Sequence, residues 1–324
     1  MKEIEKKYKI LFGPKSNLPS FSWVSSDIFD ELKEEIKFIC FKNYHEIFKH
    51  KKINLIFIVK YPPPFWFITA AILMNIKLIY IPVDFLGSEY QIKKNSIKIR
   101  LIQNIFLHNL KLKKKLSKYT KYTFLINHYN KYPIERNNKT KKMILWVGHI
   151  EYIPVLIHHL NDFDYKGFGY DLTLLTDIYN IKNKIDFLKQ NIKNINIKFI
   201  DRDTININNF TFSNWSERKY KESMKNCAFA VDFKEDSFHH QVKPPTKSQV
   251  YIANRVPLGI NKNSSINDYF TSLDINLPDY KNLNFLISSA YTKSVSNHSK
   301  RLNKLISKST VVQNYRKIIF DLIS

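Results

Sequence analysis

The stretch QVKPPTKSQVYIANRVPLGI, residues 241–260, gathers the groups best suited to holding an anion. Lys243 and Lys247 flank the pair Pro244–Pro245, and Thr246 and Ser248 add hydroxyls just before an apolar run. Proline opens a helix without losing a needed donor. The free amides and positive end of such a helix suit a phosphate. Upstream, the strand-like CAFAVDF (227–233) leads into a loop carrying His239 and His240, just before these lysines. Ligands of open α/β sheets bind beyond the carboxyl ends of strands, where this loop should lie. Two readings stand for the segment: a diphosphate seat, or a proline-initiated helix with solvated lysines. The two histidines are equally open to a plain surface-loop role.

A second group could move a proton. Asp84, in YIPVDFLGSEY, ends a predicted strand and is the leading carboxylate for a general base, with Glu89 behind it. A turn or helix-cap role for Asp84 is the competing reading. Lys60 and Tyr61 in IVKYPPP end the preceding strand. Ser20, Ser22 and Trp23 follow the first strand in GPKSNLPSFSW and could hydrogen-bond and stack on a ligand, though Trp23 also reads as a loop anchor. The letters DRD at 201–203 fit a solvated turn better than a metal site, and no metal ligands are expected.

The elements that must position these groups alternate. YKILFG (8–13), IKFICF (36–41), INLIFIV (53–59), KLIYIPV (77–83) and YTFLINH (122–128) read as buried strands, with helical segments at 25–35, 44–52 and 63–75. Near-continuous apolar strands separated by helices predict a parallel sheet covered on both faces. The polar run 130–142 reads as a linker. Strands then resume at 143–150, 171–177, 195–201, 210–215, 227–233 and 256–260, with helices at 151–161, 180–190, 217–226, 246–254 and about 297–322. Two consecutive α/β domains follow, 1–138 and 139–324, with the last helix free to pack back on the first domain.

The chain has 324 residues and a net charge of +24, so an anionic partner is expected. The abundance of Lys, Asn and Ile together also points to a coding sequence poor in G and C, which discounts that signal. A basic nucleic-acid-binding protein is a rival reading of that charge, but nucleic acid is not the expected partner, because the charge is diffuse and no basic–aromatic recognition motif stands out. The two cysteines, Cys40 and Cys227, sit in apolar strands and read as buried thiols of a reducing compartment. The N-terminus lacks a secretory leader, so a cytoplasmic location is expected. Residues 91–121 hold ten Lys/Arg and no acid. Leu101, Ile105, Leu112 and Leu116, with Phe106 and Leu110 beside them, trace a helical stripe. One reading is an amphipathic helix on an anionic membrane surface, at the inner face of the cytoplasmic membrane. The other is a packed helix with a solvated lysine face.

KPPTKSQVYIANRVPLGI resembles the donor-site segment of GT-B-fold glycosyltransferases, in which a lysine-containing, proline-rich turn opens a helix and a short strand follows. FTFSNWSERKYKESMKNCAFAVDF (210–233) resembles the preceding unit of that family. MILWVGHIEYIPVLIHHL (143–160), with Gly148 at its turn, resembles the opening of the donor domain. The resemblance implies an α/β GT-B fold, two Rossmann-like doubly wound domains facing across a cleft. It also implies transfer of a sugar from a nucleotide-sugar to a saccharide or lipid-linked acceptor, as in bacterial capsule or lipopolysaccharide synthesis. No cofactor beyond the nucleotide-sugar substrate is implied. The C-terminal domain would bind the donor through Gly148, Trp215, Ser216, His239, His240, Lys243, Thr246, Lys247 and Ser248; Trp215 reads slightly better as core. The N-terminal domain would bind the acceptor. The chain departs from the family where Val242 and Val250 stand in place of its paired glutamates, and where Arg255 stands in place of a glycine. Those departures keep open a non-catalytic assembly role, and they leave retention or inversion undecided.

Overall fold

The computed structural model describes residues 8–137 and 139–323; residues 1–7, on which the expectation about a secretory leader bears, lie outside them. The chain begins β1 (Tyr8–Gly13), α1 (Pro19–Val24), α2 (Ser26–Leu32), β2 (Ile36–Cys40), β3 (Leu55–Val59), α3 (Phe65–Leu73) and β4 (Lys77–Ile81). It continues α4 (Glu89–Lys94), α5 (Ser96–Ile102), β5 (Asn104–Leu107), α6 (Leu110–Leu116) and β6 (Tyr122–Leu125). Next come β7 (Met143–Val147), α7 (Ile153–Asn161), β8 (Asp171–Thr176), α8 (Ile185–Asn191), β9 (Ile197–Phe199), β10 (Thr204–Ile207) and β11 (Phe210–Asn214). Then follow α9 (Glu217–Asn226), β12 (Phe229–Asp232), α10 (Phe238–Val242), α11 (Thr246–Ala253) and β13 (Leu258–Ile260). Helices α12 (Ser265–Thr271), α13 (Leu283–Leu286), α14 (Ser289–Ile306) and α15 (Lys308–Ile323) close it.

These elements form two compact units. The first takes the chain up to Lys131, then Ser237–Pro244, then Lys304 onward; the second holds Tyr132–Asp236 and Pro245–Asn303. The chain enters the second unit near the start of the polar 130–142 linker, and residues 134–137 are tied down there. Ile134 N donates to Asn254 Oδ1, and Arg136 donates to the carbonyls of Cys227, Ala228 and Arg255.

The first unit is a parallel sheet in the order β2-β1-β3-β4-β5-β6. Its central strands β3, β4 and β5 bury both faces, which is why their sequences are almost wholly apolar, while β2 and β6 at the edges are only partly buried. Ile10, Phe12, Phe57 and Ile79 point to one core, and Leu11, Ile56, Ile58 and Leu78 to the other. Val311, Tyr315 and Ile319 of α15 join the first core, and Tyr315 OH donates to Val24 O at 3.1 Å. Val242 of α10 joins the second. The second unit has the order β13-β12-β7-β8-β11-β10-β9, parallel except for the β11-β10-β9 edge. Both units are therefore doubly wound α/β layers, as the alternation of apolar runs predicts.

The expected amphipathic helix over 91–121 does not form. Gln103 adopts φ 65°, ends α5, and leads into β5. Ile105 and Phe106 are buried in that strand, and Leu112 and Leu116 are buried on α6. Those apolar residues serve the core, so they cannot face a membrane. No helix among the described residues is long and apolar enough to cross one.

Candidate functional site

In the second unit the sheet reverses its winding at β7, between β8 on one side and β12 on the other. The carboxyl ends of β7 and β12 thus flank the topological switch point, the usual ligand crevice of an open α/β sheet. A charged cluster sits there. Asp232, the last residue of β12, is 2% exposed. Its Oδ1 lies 3.3 Å from Lys247 Nζ and 3.6 Å from Lys234 Nζ, and its Oδ2 accepts 2.8 Å from Ser248 Oγ. Lys247 also donates to Val147 O at the end of β7, at 2.7 Å. Its ammonium lies 5.8 Å from the Trp146 ring and 5.5 Å from the Tyr152 ring. Burial alone would raise the Asp232 carboxyl, but the charges of Lys234 and Lys247 and the Ser248 hydroxyl outweigh it and hold it below its ordinary value. Reciprocal bonds fix Lys234: its N–H donates to Asn261 Oδ1, and Asn261 Nδ2 donates to its carbonyl.

Lys247 and Ser248 come from the first turn of α11, which Thr246 opens and Pro245 precedes without a side-chain cap. Ser248 is fully buried and spent on Asp232, so its expected direct contact with a donor is replaced by a role behind the carboxylate. Gly148 follows β7, and a Cβ there would lie 2.1 Å from the Trp146 ring; the glycine is needed for packing. Trp215 follows β11, is 37% exposed, and is therefore not core; its amide donates to Thr176 O. Ser216 caps α9, accepting from Lys219 N. The DRD run is a turn in which Asp203 accepts from the Tyr179 hydroxyl at 2.8 Å.

In the first unit a small cleft is lined by Val83, Asp84, Leu86, Leu112, His239, Val242 and Lys243. Asp84 Oδ1 lies 3.5 Å from Lys60 Nζ. Lys60 and Val83 follow adjacent parallel strands, and both have left-handed backbones, φ 71° and 54°. That conformation is unusual for a lysine and a true outlier for a β-branched valine. It persists because Lys60 N donates to Ile81 O at 2.8 Å and Tyr80 OH donates to Lys60 O at 2.7 Å. Gly87 lets His239 in, since a Cβ there would meet His239 Nδ1 at 2.4 Å. Asn109 Nδ2 donates to Lys243 O at 2.9 Å and anchors the turn after α10. Tyr61 is 54% exposed, edge-on to Phe85 at 5.1 Å.

The segment 241–260 is thus divided. Lys243 belongs to the first unit with His239, and Lys247 belongs to the second with Asp232. His240 is buried on α10. Glu89 is not part of the Asp84 cleft: it opens α4 and pairs with Lys115 at 2.7 Å, which pulls its carboxyl below the ordinary value. Ser20, Ser22 and Trp23 lie on α1 instead of a loop. Ser22 Oγ donates to Pro19 O, and Trp23 Nε1 donates to Tyr129 O at 3.0 Å while its ring stacks on His128 at 5.2 Å, so Trp23 is an anchor. Val242 and Val250 are both buried and apolar. Asp232 escaped the sequence reading. An acid closing an otherwise apolar strand, with a lysine two residues on, was the available signal.

No protein-family model matches the chain, and no curated protein does. Solved structures do. An alpha-glucosyltransferase in complex with UDP and a DNA 13-mer containing an HMU base aligns with a TM-score of 0.59 at 13% identity, covering 98% of each chain. An alpha-glucosyltransferase complex with UDP gives 0.55 at 12% identity, covering 98% of this chain and 99% of that one. AviGT4, a glycosyltransferase involved in avilamycin A biosynthesis, gives 0.53 at 9% identity over 98% of each. With its two doubly wound α/β units, and at these low identities, the chain has a divergent GT-B fold, the fold of these glycosyltransferases.

Proposed function

We propose that this protein is a glycosyltransferase that moves a sugar from a nucleotide-sugar to a saccharide or lipid-linked saccharide, in the synthesis of a bacterial surface glycan. The observation that carries the reading is the Asp232–Lys247 pair at the switch point of the second unit, beside the uncapped start of α11. Sugar transfer expels a nucleoside diphosphate, whose growing charge must be met by fixed donors in a site screened from water. Lys247 and the first amides of α11 meet it here. Asp232 and Val147 O hold the lysine in position, so little reorganisation is needed at the moment of reaction. UDP is bound in the similar alpha-glucosyltransferase structures, and a uridine diphosphate sugar is the first donor to try.

Asp84 accepts the proton of the attacking hydroxyl if the reaction inverts, with Lys60 fixing the carboxylate and His239 closing the cleft. Tyr61 offers an exposed ring on which a sugar can stack. The charge that a metal would otherwise supply comes in this reading from lysines and amides. A thermal-shift panel of nucleoside diphosphates and their sugars tests the donor site. One nucleotide should raise Tm by several degrees, since ligand at about 100 times Kd stabilises by about 2.7 kcal/mol. Lys247→Gln should abolish that shift while circular dichroism stays unchanged. A panel with no response, or a variant with the full response, ends the proposal.

A second reading of the acceptor is favoured by the net charge of +24 and by the DNA present in the similar alpha-glucosyltransferase complex: a base within a polynucleotide. Duplex affinity that falls steeply with salt, together with label transfer from the nucleotide-sugar to DNA, would favour it over a saccharide.

A further inference from the structure

Helix α3, FWFITAAIL, contains no charged residue. Phe67, Ile68 and Ala71 bury one side of it against the sheet. The opposite side faces solvent and is apolar apart from Thr69, whose hydroxyl is turned back to donate to Phe65 O at 3.1 Å. Phe65 and Trp66, and two turns later Ile72 and Leu73, are exposed by 49, 40, 51 and 81%. A helix with a single polar side chain and no charge on any side is otherwise found buried or in lipid. The patch extends beyond the helix. Phe48, 61% exposed, has its ring 6.3 Å from that of Trp66, and Ile97 on the neighbouring α5 is also 61% exposed. Contiguous exposure of this kind marks an interaction surface.

The surrounding charge selects the partner. Neither α3 nor α5 carries an acid, whereas α5 carries Lys98 and Arg100 and the end of α4 carries Lys93 and Lys94. Lys98 Nζ lies 5.1 Å over the Phe65 ring, so a cation borders the apolar face. Aromatic rings beside aliphatic side chains, rimmed by cations, suit the boundary between acyl chains and anionic headgroups. A second copy of the chain fits poorly. A twofold contact over this face would bring the like charges of α5 together. We infer that the outer face of α3, with Lys98 and Arg100 of α5, seats this protein on an anionic membrane surface. The inference is independent of the sugar-transfer reading and replaces the helix expected over 91–121.

Co-sedimentation of the full chain with vesicles tests it, with no sugar-transfer readout involved. Vesicles of phosphatidylcholine with phosphatidylglycerol should bind the protein, and phosphatidylcholine alone should bind it weakly. The pair Ile72→Asp and Leu73→Asp should lower the partition coefficient by about tenfold or more with an unchanged circular dichroism spectrum. Lys98→Glu, which leaves the apolar face intact, should lower it by about fivefold or more. Three results would overturn the inference: no binding to the anionic vesicles, binding that the aspartate pair leaves untouched, or sedimentation equilibrium showing a dimer that the pair dissolves while vesicles bind neither form.

Discussion

Lys247 Nζ and Asp232 Oδ1 lie 3.3 Å apart at the carboxyl edge of the second sheet, the lysine partly exposed and the carboxylate almost wholly enclosed. The pair is bound into the fold as well as available to the proposed donor site. Lys234, 3% exposed, shares the same carboxylate. Removing one partner of a buried ion pair strands the other charges, at a typical cost of about 3–5 kcal/mol. Asp232→Ala should therefore lower the free energy of unfolding in urea by roughly that amount at pH 7. The pH dependence has a definite sign. A carboxyl held below its unfolded value of about 4 contributes stability above that pH and loses it as pH falls through the folded value. The difference between wild type and Asp232→Ala should shrink below about pH 4. An equal difference at pH 7 and pH 3 would mean that packing, not charge, sets the cost.

Lys60 and Val83 store strain where the Asp84 carboxylate is presented. Each left-handed, non-glycine residue costs on the order of 1–3 kcal/mol. Lys60→Gly removes that cost at one position along with the ammonium 3.5 Å from Asp84. Its Tm should stay level or rise by a few degrees while sugar transfer falls. Asp84→Asn preserves the shape and removes the proposed proton acceptor, so transfer should fall by about 100-fold or more while the nucleotide-induced Tm shift persists. Full activity in Asp84→Asn would remove it as the base, and a large fall in Tm for Lys60→Gly would show that the lysine is structural.

The parallel strands were legible because burial on both faces leaves no polar position: Leu55–Val59 is buried at all five residues. Strand β10, TINI, was not legible, since edge pairing keeps Asn206 half-exposed and breaks the apolar run. Strand β5 was hidden because Asn104–Leu107 sits between lysine-rich helices whose leucines continue a helical spacing across it. Only the left-handed Gln103, a conformation no glycine announces, separates them. The same holds at the site. Lys247 was visible from its place beside two prolines. Asp232 was hidden inside an apolar strand, and the division between Lys243 and Lys247 depends on long-range packing of Asn109 against the turn after α10.

Gly148 and Trp146 give a steric test of the donor side. Trp146 is 1% exposed and edge-on to Phe212 at 6.2 Å, so its ring has no room to yield to a methyl group 2.1 Å away. Gly148→Ala should cost about 1–3 kcal/mol of stability, as overpacking does. It should also weaken nucleotide binding, because the displaced ring lies against the Lys247 ammonium. Urea unfolding and a nucleotide titration of the variant read the two effects separately. A variant as stable as the parent would show that the β7 turn relaxes freely.

His108 is the clearest source of acid sensitivity. Its Nδ1 lies 2.6 Å from Ile126 O, so that nitrogen carries the proton, while the buried Nε2 has no hydrogen-bond partner. A second proton on the ring would sit on that Nε2, 4.0 Å ring to ring from His128. Burial accordingly pushes the His108 value down to about 4, against the opposing pull of the Ile126 carbonyl, and His128 is lowered too, by burial and by His108. The unfolded chain titrates near 6.5, so between about 6.5 and 4 it binds more protons than the folded one. Stability is then fully present above about pH 6.5 and falls as pH drops toward 4, by about 3 kcal/mol for His108 alone. His108→Gln can keep a donor for Ile126 O and cannot take up the second proton. Its free energy of unfolding should vary less with pH across that window than the parent's, whatever its value at pH 7. Parallel curves for the two proteins would mean that His108 does not titrate on unfolding.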